Sequence, residues 1–257
     1  VVGRANVGKS TLMAKILGEK ISIISNKAQT TRDKIQIIYN DNDSQIIFID
    51  TPGIQTPQNK LQEKLFEFSE ESLKESDIVT FVVDNSLEIG RLDNKIIEML
   101  KVINVPKILL INKIDLLNQY EYQQIKQKYE DMDMFDDIIG ISALANNNID
   151  QYIERIKEML DEGPAYYDRD MITDKSERFI VSEIIREKAL NNLSAEVPHG
   201  IAVRIDNFKQ RENKNLIDID ATIIVEKNSH KEIVIGKAGS MVKKIGMDSR
   251  KEIEKFL

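Results

Sequence analysis

The first eleven residues restrict this chain more than any other stretch. Gly3-Arg4-Ala5-Asn6-Val7-Gly8-Lys9-Ser10-Thr11 fits the pattern G-x-x-x-x-G-K-[ST], with the apolar pair Val1-Val2 before it and a helical run, Leu12 to Leu17, after it. Such a loop turns its backbone N–H groups inward around an anion, so glycine is required where the chain curls or where a side chain would block the phosphate. The following helix directs its positive end at the same point, Lys9 reaches toward β and γ oxygens, and Ser10 is left to ligate Mg²⁺. A nucleotide phosphate held here organises the reading of everything downstream.

Beyond this loop, apolar strands alternate with amphipathic helices. Lys34 to Asn40 and Gln45 to Ile49 read as a hairpin around the turn residues Asp41-Asn42-Asp43-Ser44. Strands follow at 78–83, 106–111 and 138–141, separated by helices ending near Asp77, Ile103 and Glu130, with a last helix from Ile149 to Leu160. Alternation of this kind implies a mainly parallel sheet with helices on both faces. After Gly163-Pro164 the pattern changes: a helix at 178–192 precedes two consecutive strands, 201–210 and 216–227, which indicates a separate α+β unit. Its tail carries Gly236-Lys237-Ala238-Gly239, followed by two short helical stretches. By propensity alone Lys231 to Ile235 reads as a strand.

Charge sharpens this division. The chain has a net charge of −7, which argues against a nucleic-acid binder, yet residues 227–257 hold eight basic against four acidic side chains. An acidic body with a basic end points to an anionic partner near the C-terminus. Cysteine is absent and only two histidines occur, so disulfides and cysteine zinc sites are excluded and a reducing compartment is expected. No apolar run approaches the ~20 residues of a membrane helix.

Two further stretches end strands of the first unit. Asp50-Thr51-Pro52-Gly53 offers a carboxylate for Mg²⁺, through water, and a backbone N–H for a γ-phosphate. Asn112-Lys113-Ile114-Asp115 offers a carboxylate that accepts two hydrogen bonds from the ring N–H and exocyclic amine of guanine; adenine has no such donor pair. Lys113 would lie along the base, and Ser142-Ala143 would present N–H groups to the guanine carbonyl.

Gly3 to Ser10, Gln29-Thr30-Thr31-Arg32-Asp33, Asp50 to Ile54, Asn112 to Asp115 and Ser142-Ala143-Leu144 together resemble, in order and spacing, the five nucleotide signatures of translation-factor-class P-loop GTPases. Specifically, the chain resembles the Era family, in which one G domain precedes a KH-like domain, and the resemblance covers almost its whole length. It implies an α/β GTPase domain with a mainly parallel sheet over 1–165, a linker over 166–176, and a smaller α+β KH type II domain over 177–257 that ends before the family's last strand. It also turns Lys231 to Ile235 into a short helix. GTP or GDP and Mg²⁺ are the implied ligands, contacted by residues 3–11, by Asp50, Thr51, Pro52, Gly53 and Ile54, by Asn112, Lys113 and Asp115, and by Ser142, Ala143 and Leu144. Ser10, Asp50 and the switch residue Thr31 are the implied metal ligands, and Lys9, Thr31 and Gly53 the catalytic groups.

By the same resemblance, Gly236, Lys237, Ala238, Gly239, Lys243 and Lys244 contact single-stranded RNA, the 3′ end of small-subunit ribosomal RNA, during maturation of the small ribosomal subunit. The implied protein is a monomeric, slow GTPase that does not bind DNA, cytoplasmic with weak peripheral contact at the inner face of the cell membrane. One residue departs from the Ras-like pattern. Where those enzymes carry a glutamine that orients the attacking water, this chain has Ile54, with Gln55 and Gln58 the polar residues of the loop beyond. Ile54 gives weight to a second reading, an RNA-binding adaptor that holds GTP or GDP with negligible turnover.

Overall fold

The structure, a computed structural model, describes residues 1–18, 35–54, 60–193, 200–212 and 216–257. Thr31 with the rest of Gln29 to Asp33, and Gln55 and Gln58, lie outside the described residues. Contacts divide the chain into two compact units, one running to Asp174 and one spanning Lys175–Leu257.

In the first unit, β3 (Val79–Val83), β4 (Lys107–Ile111) and β5 (Asp137–Gly140) pair in parallel in that order. β1 (Ile35–Asn40) and β2 (Gln45–Asp50) form an antiparallel hairpin, with Ile35 opposite Asp50 and Asn40 opposite Gln45. The N-terminal residues run between these two sets: Val2 bridges Phe81 and Arg4 bridges Ile54, both in parallel. Side chains alternate across the strands, so Val79, Phe81 and Val83 face one layer of helices and Thr80 the other. On the first side lie α2 (Lys60–Lys74), α3 (Arg91–Lys101) and α4 (Gln119–Glu130), packed through Leu73, Ile96, Leu100, Ile125 and Tyr129. On the other, α5 (Ile149–Met159) buries Tyr152, whose hydroxyl is 2.8 Å from Thr80 Oγ1. α1 (Lys9–Leu17) packs on the hairpin and buries Leu12, Met13 and Ile16. This is the expected α/β arrangement with helices on both faces, and it gathers the carboxyl ends of the strands at one edge, where such sheets bind ligands.

The mixed segment Ala165 to Asp174 reads as linker, but the structure ties residues 167–173 to β1 and to the first residue of β2. Ile38 N–H donates to Ile172 O at 2.9 Å, Thr173 Oγ1 donates to Gln36 O at 2.8 Å, and Gln45 Nε2 donates to Tyr167 O at 2.9 Å. An edge strand exposes backbone groups that need partners, and the polar segment satisfies them without any apolar period to betray it.

The second unit contains α6 (Glu177–Asn192), β6 (Ile201–Gln210), β7 (Ile217–Val225), α7 (Asn228–Ile235) and α8 (Ser240–Phe256). Ser176 caps α6, its Oγ accepting from Phe179 N–H at 3.3 Å. β6 and β7 pair antiparallel from Ile201 opposite Val225 to Gln210 opposite Ile217, with a register shift between Ile205 and Asn207. Ala189, Leu193, Ile201, Val234 and Ile245 form the buried core. Two local readings are settled here. Residues 231–235 are helical, as the family resemblance implied and strand propensity did not, because burial of Val234 sets the conformation. The tail beyond Gly239 is one helix rather than two short stretches, since Ile245, Ser249 and Ile253 share a buried face that outweighs the breaker Gly246. Among the described residues, no helix is long and apolar enough to cross a membrane.

Candidate functional site

The phosphate loop is built by close approach. A Cβ on Gly3 would stand 2.4 Å from Val82 O, one on Gly8 2.2 Å from Asn112 Nδ2, and one on Gly53 2.8 Å from Ala5 Cα. Only glycine permits these contacts, and Gly8, with φ of 103°, also needs glycine's backbone freedom before α1 can begin at Lys9. α1 has neither an acidic residue in its first turn nor a side-chain cap, so its first N–H groups point into the cradle.

Lys9 is 6% exposed, with Nζ donating to Gly3 O at 3.0 Å and Arg4 O at 3.1 Å. Burial lowers its pKa to about 8, partly opposed by the Asp50 carboxylate. Ser10 Oγ donates to Asp50 Oδ2 at 3.4 Å, so the two expected metal ligands that are described lie side by side. Among the described residues, no cluster of three or more His, Cys, Asp or Glu side chains could hold a cation alone. A hydroxyl beside one carboxylate suits Mg²⁺, which keeps its waters and takes substrate phosphates as further ligands. Thr51 Oγ1 donates to Val1 O at 2.8 Å, and Pro52 O accepts from Ser69 Oγ at 3.3 Å, which fixes the segment leading to Gly53. Ile54 donates its N–H to Gly3 O at 3.0 Å and buries its side chain, 2% exposed, in the core beside Val2. Its apolar side chain has no group with which to orient a water.

The base end is organised by Asn112. Its Nδ2 donates to Val7 O at 2.7 Å, while its Oδ1 accepts from Lys113 N–H at 2.8 Å and Ala143 N–H at 3.0 Å. One buried amide thereby joins the phosphate loop, the base loop and the Ser142 turn. Lys113 holds a left-handed φ of 65° and reaches across the phosphate loop to donate from Nζ to Asn6 O at 2.9 Å. Asp115, in the single turn Ile114–Leu116, is exposed and has no hydrogen-bond partner among the described residues, so both carboxylate oxygens are open to a base. The N–H groups expected to meet the guanine carbonyl are engaged within the protein: Ser142 donates to Asn147 O and Ala143 to Asn112. Leu144, 76% exposed, presents the next N–H of that turn.

Arg4 turns its side chain away from the cradle. Its Nε lies 3.0 Å from Asp93 Oδ2 and its Nη2 bonds Asp84 Oδ1 and, at 3.0 Å, Ser86 Oγ. Its contribution to the site is therefore backbone. Asp84 and Asp93 were missed from sequence, although Asp84 directly follows the buried strand β3, close to the position Asp50 holds at the end of β2. Asp93 is 2% exposed, and burial raises its pKa against the pull of Arg4.

In the second unit, the G-x-x-G stretch is a single turn between α7 and α8. A Cβ on Gly236 would fall 2.7 Å from Met241 Cβ, and Gly239 holds a φ of 77°. Lys237, Ala238, Lys243 and Lys244 are exposed. α8 starts with no acidic residue in its first turn and no side-chain cap, and Lys243 and Lys244 stand close to that positive end. Such an end is stabilised by an anion.

Comparison with known proteins agrees with both units. A family described as 50S ribosome-binding GTPase matches residues 1–113, and the KH domain family matches residues 196–257. GTPase Era of Alkaliphilus metalliredigens is 51% identical over 257 residues, covering 100% of this chain and 87% of the relative. GTPase Era of Clostridioides difficile is 48% identical over 258 residues, with the same coverage of 100% and 87%. Among solved structures, Era in complex with MgGDPNP and nucleotides 1506–1542 of 16S ribosomal RNA superposes with a TM-score of 0.94 at 39% identity, over 99% of this chain and 87% of that one. A variant of Aquifex aeolicus Era bound to GDP and AlF4⁻ gives a TM-score of 0.94 at 38% identity, again over 99% and 87%.

Proposed function

The chain belongs to the Era family of GTPases, and from that premise we propose that it binds GTP and GDP with Mg²⁺, hydrolyses GTP slowly, and binds the 3′ end of small-subunit ribosomal RNA during assembly of the small subunit. The observation that carries the nucleotide part is the convergence on Asn112, which ties Val7 of the phosphate loop to the loop bearing Asp115 and to Ala143. Mg²⁺ held by Ser10, Asp50 and phosphate oxygens would neutralise charge that builds on the phosphates. Lys9 supplies a fixed cation at the same place, and the Gly53 N–H a hydrogen bond to the terminal phosphate.

Burial of Ile54 favours slow turnover in the isolated chain, because the residue after Gly53 orients no water. The RNA part rests on the exposed Lys237, Lys243 and Lys244 around a glycine turn that lets a sugar-phosphate backbone approach closely. Activity in the cytoplasm, with peripheral contact at the cell membrane, completes the proposal.

Single-turnover phosphate release from GTP, with and without a single-stranded ribosomal RNA 3′ fragment, tests this reading, with ATP as competitor. Slow release that ATP does not inhibit, together with saturable RNA binding, is expected. GTP bound without any phosphate release under either condition would favour the adaptor reading.

A further inference from the structure

The phosphate loop and the base loop are also joined through a third element that no nucleotide signature contains. Asp84 stands directly after β3, with its side chain 13% exposed. One of its oxygens, Oδ1, bonds Arg4 Nη2 of the phosphate loop; the other, Oδ2, lies 3.8 Å from Lys113 Nζ of the base loop. The carboxylate is held in place by its own turn, since Ser86 N–H donates to Oδ1 at 3.1 Å and Ser86 Oγ at 2.7 Å. We propose that Asp84 is a positioning residue that sets the registry between the phosphate and guanine subsites, by holding Arg4 and Lys113 against one carboxylate. This rests on the nucleotide reading above and deepens it.

Charge balance supports the assignment. Arg4 already faces Asp93, whose oxygens lie 3.0 and 3.2 Å from Nε, so Asp84 is not needed merely to neutralise Arg4. With Lys113 included, two carboxylates face two cations and the cluster is neutral. Its members come from the phosphate loop, the end of β3, the first turn of α3 and the base loop, so a shift of the phosphate loop breaks charge-assisted hydrogen bonds and a shift of the base loop weakens an ion pair of 3.8 Å. Geometry supports it as well. Lys113 sits at a left-handed φ of 65°, a conformation that persists only when its surroundings over-determine it. Its N–H is held by Asn112 and its ammonium by Asn6 O and Asp84.

The test uses the full chain and the near-isosteric variant Asp84→Asn, which keeps one acceptor oxygen for Ser86, removes the charge and turns the other oxygen into an N–H donor that cannot hold the Lys113 ammonium. Dissociation of GDP, equilibrium affinities for GDP and for IDP, and the thermal midpoint without nucleotide are measured together. IDP lacks the exocyclic amine, so the GDP-to-IDP affinity ratio reads the contact with Asp115. If Asp84 sets the registry, GDP leaves about tenfold faster and the ratio falls by about threefold or more, with little change in the midpoint. In an Arg4→Gln background, the further change Asp84→Asn adds less than about twofold to GDP release, because the tie is already cut. Unchanged GDP release, equal loss of GDP and IDP affinity, or full additivity with Arg4→Gln would each overturn the proposal. Failure of the unaltered chain to bind GDP at all would instead overturn the nucleotide reading, and the tie with it.

Discussion

Replacing Asn112 with Ala removes three hydrogen bonds at one stroke: the donation from Nδ2 to Val7 O at 2.7 Å and the two acceptances at Oδ1 from Lys113 and Ala143 at 2.8 and 3.0 Å. The side chain sits where solvent does not reach, at 2% exposure, so the groups left behind do not simply turn to water. Each stranded buried polar group costs about 1–3 kcal/mol, less for the part-exposed Lys113 N–H, which puts the whole change at about 3–5 kcal/mol. For a domain of this size, each kcal/mol lowers Tm by about 2–4 °C, so calorimetry should register a fall of about 6–20 °C. Nucleotide affinity should fall as well. With the three loops no longer pre-assembled, ordering them is charged against binding, and about 100-fold weaker GDP affinity is expected, equivalent to about 2.7 kcal/mol. Equilibrium titration with GDP at a temperature where the variant is still folded measures this. A variant that melted within about 2 °C of the parent and bound GDP unchanged would refute the idea that Asn112 holds the site together.

Further outcomes follow from the same geometry. Because burial lowers the Lys9 pKa to about 8 while the unfolded side chain titrates near 10.5, the unfolded state binds more protons between those values; stability should therefore rise from pH 8 to 10.5, whereas GDP affinity, which needs the charged ammonium, should fall above pH 8. Denaturant melts and titrations across that range check both signs, and Lys9→Ala should abolish both dependences. Ile54→Ala should cost about 2–4 kcal/mol of stability through the cavity it opens but leave hydrolysis in the folded protein, since the side chain lies in the core; loss of turnover with normal GTP binding would contradict this. Changing Lys237 and Ala238 both to Asp should weaken binding of single-stranded RNA by about tenfold or more at moderate salt and leave GDP affinity unaltered, as filter binding and titration would show.

How far the sequence carried this account depends on what each element needs. The phosphate cradle was legible because its glycines and lysine are demanded by backbone approach and charge, and Asp50 and Asp115 because strand ends mark ligand edges. The course of Arg4 was not legible: its partners Asp84 and Asp93 lie 80 and 89 residues away, and no periodicity links such distant charges. Engagement of the Ala143 N–H likewise depends on a side chain brought in from elsewhere, Asn112, while the Ser142 N–H is taken by the backbone carbonyl of Asn147 in its own turn. Residues 166–174 read as linker because an edge-covering segment is chosen by backbone hydrogen bonding rather than by apolar pattern. The two short helical stretches expected after Gly239 form one helix, α8, because the buried face through Ile245, Ser249 and Ile253 decides.

The central claim is that one site holds a guanine nucleotide, reading the base with Asp115 and the phosphates with the Lys9 loop. Competition of labelled GTP by GTP, XTP and ATP, in the parent chain and in Asp115→Asn, tests it most directly. The parent should prefer GTP strongly and ignore ATP. In the variant, the amide can donate to the carbonyl that xanthine carries in place of the exocyclic amine, so GTP affinity should fall by about 100-fold while XTP affinity rises. A parent that bound ATP as well as GTP, or a variant that kept full GTP affinity, would contradict the account.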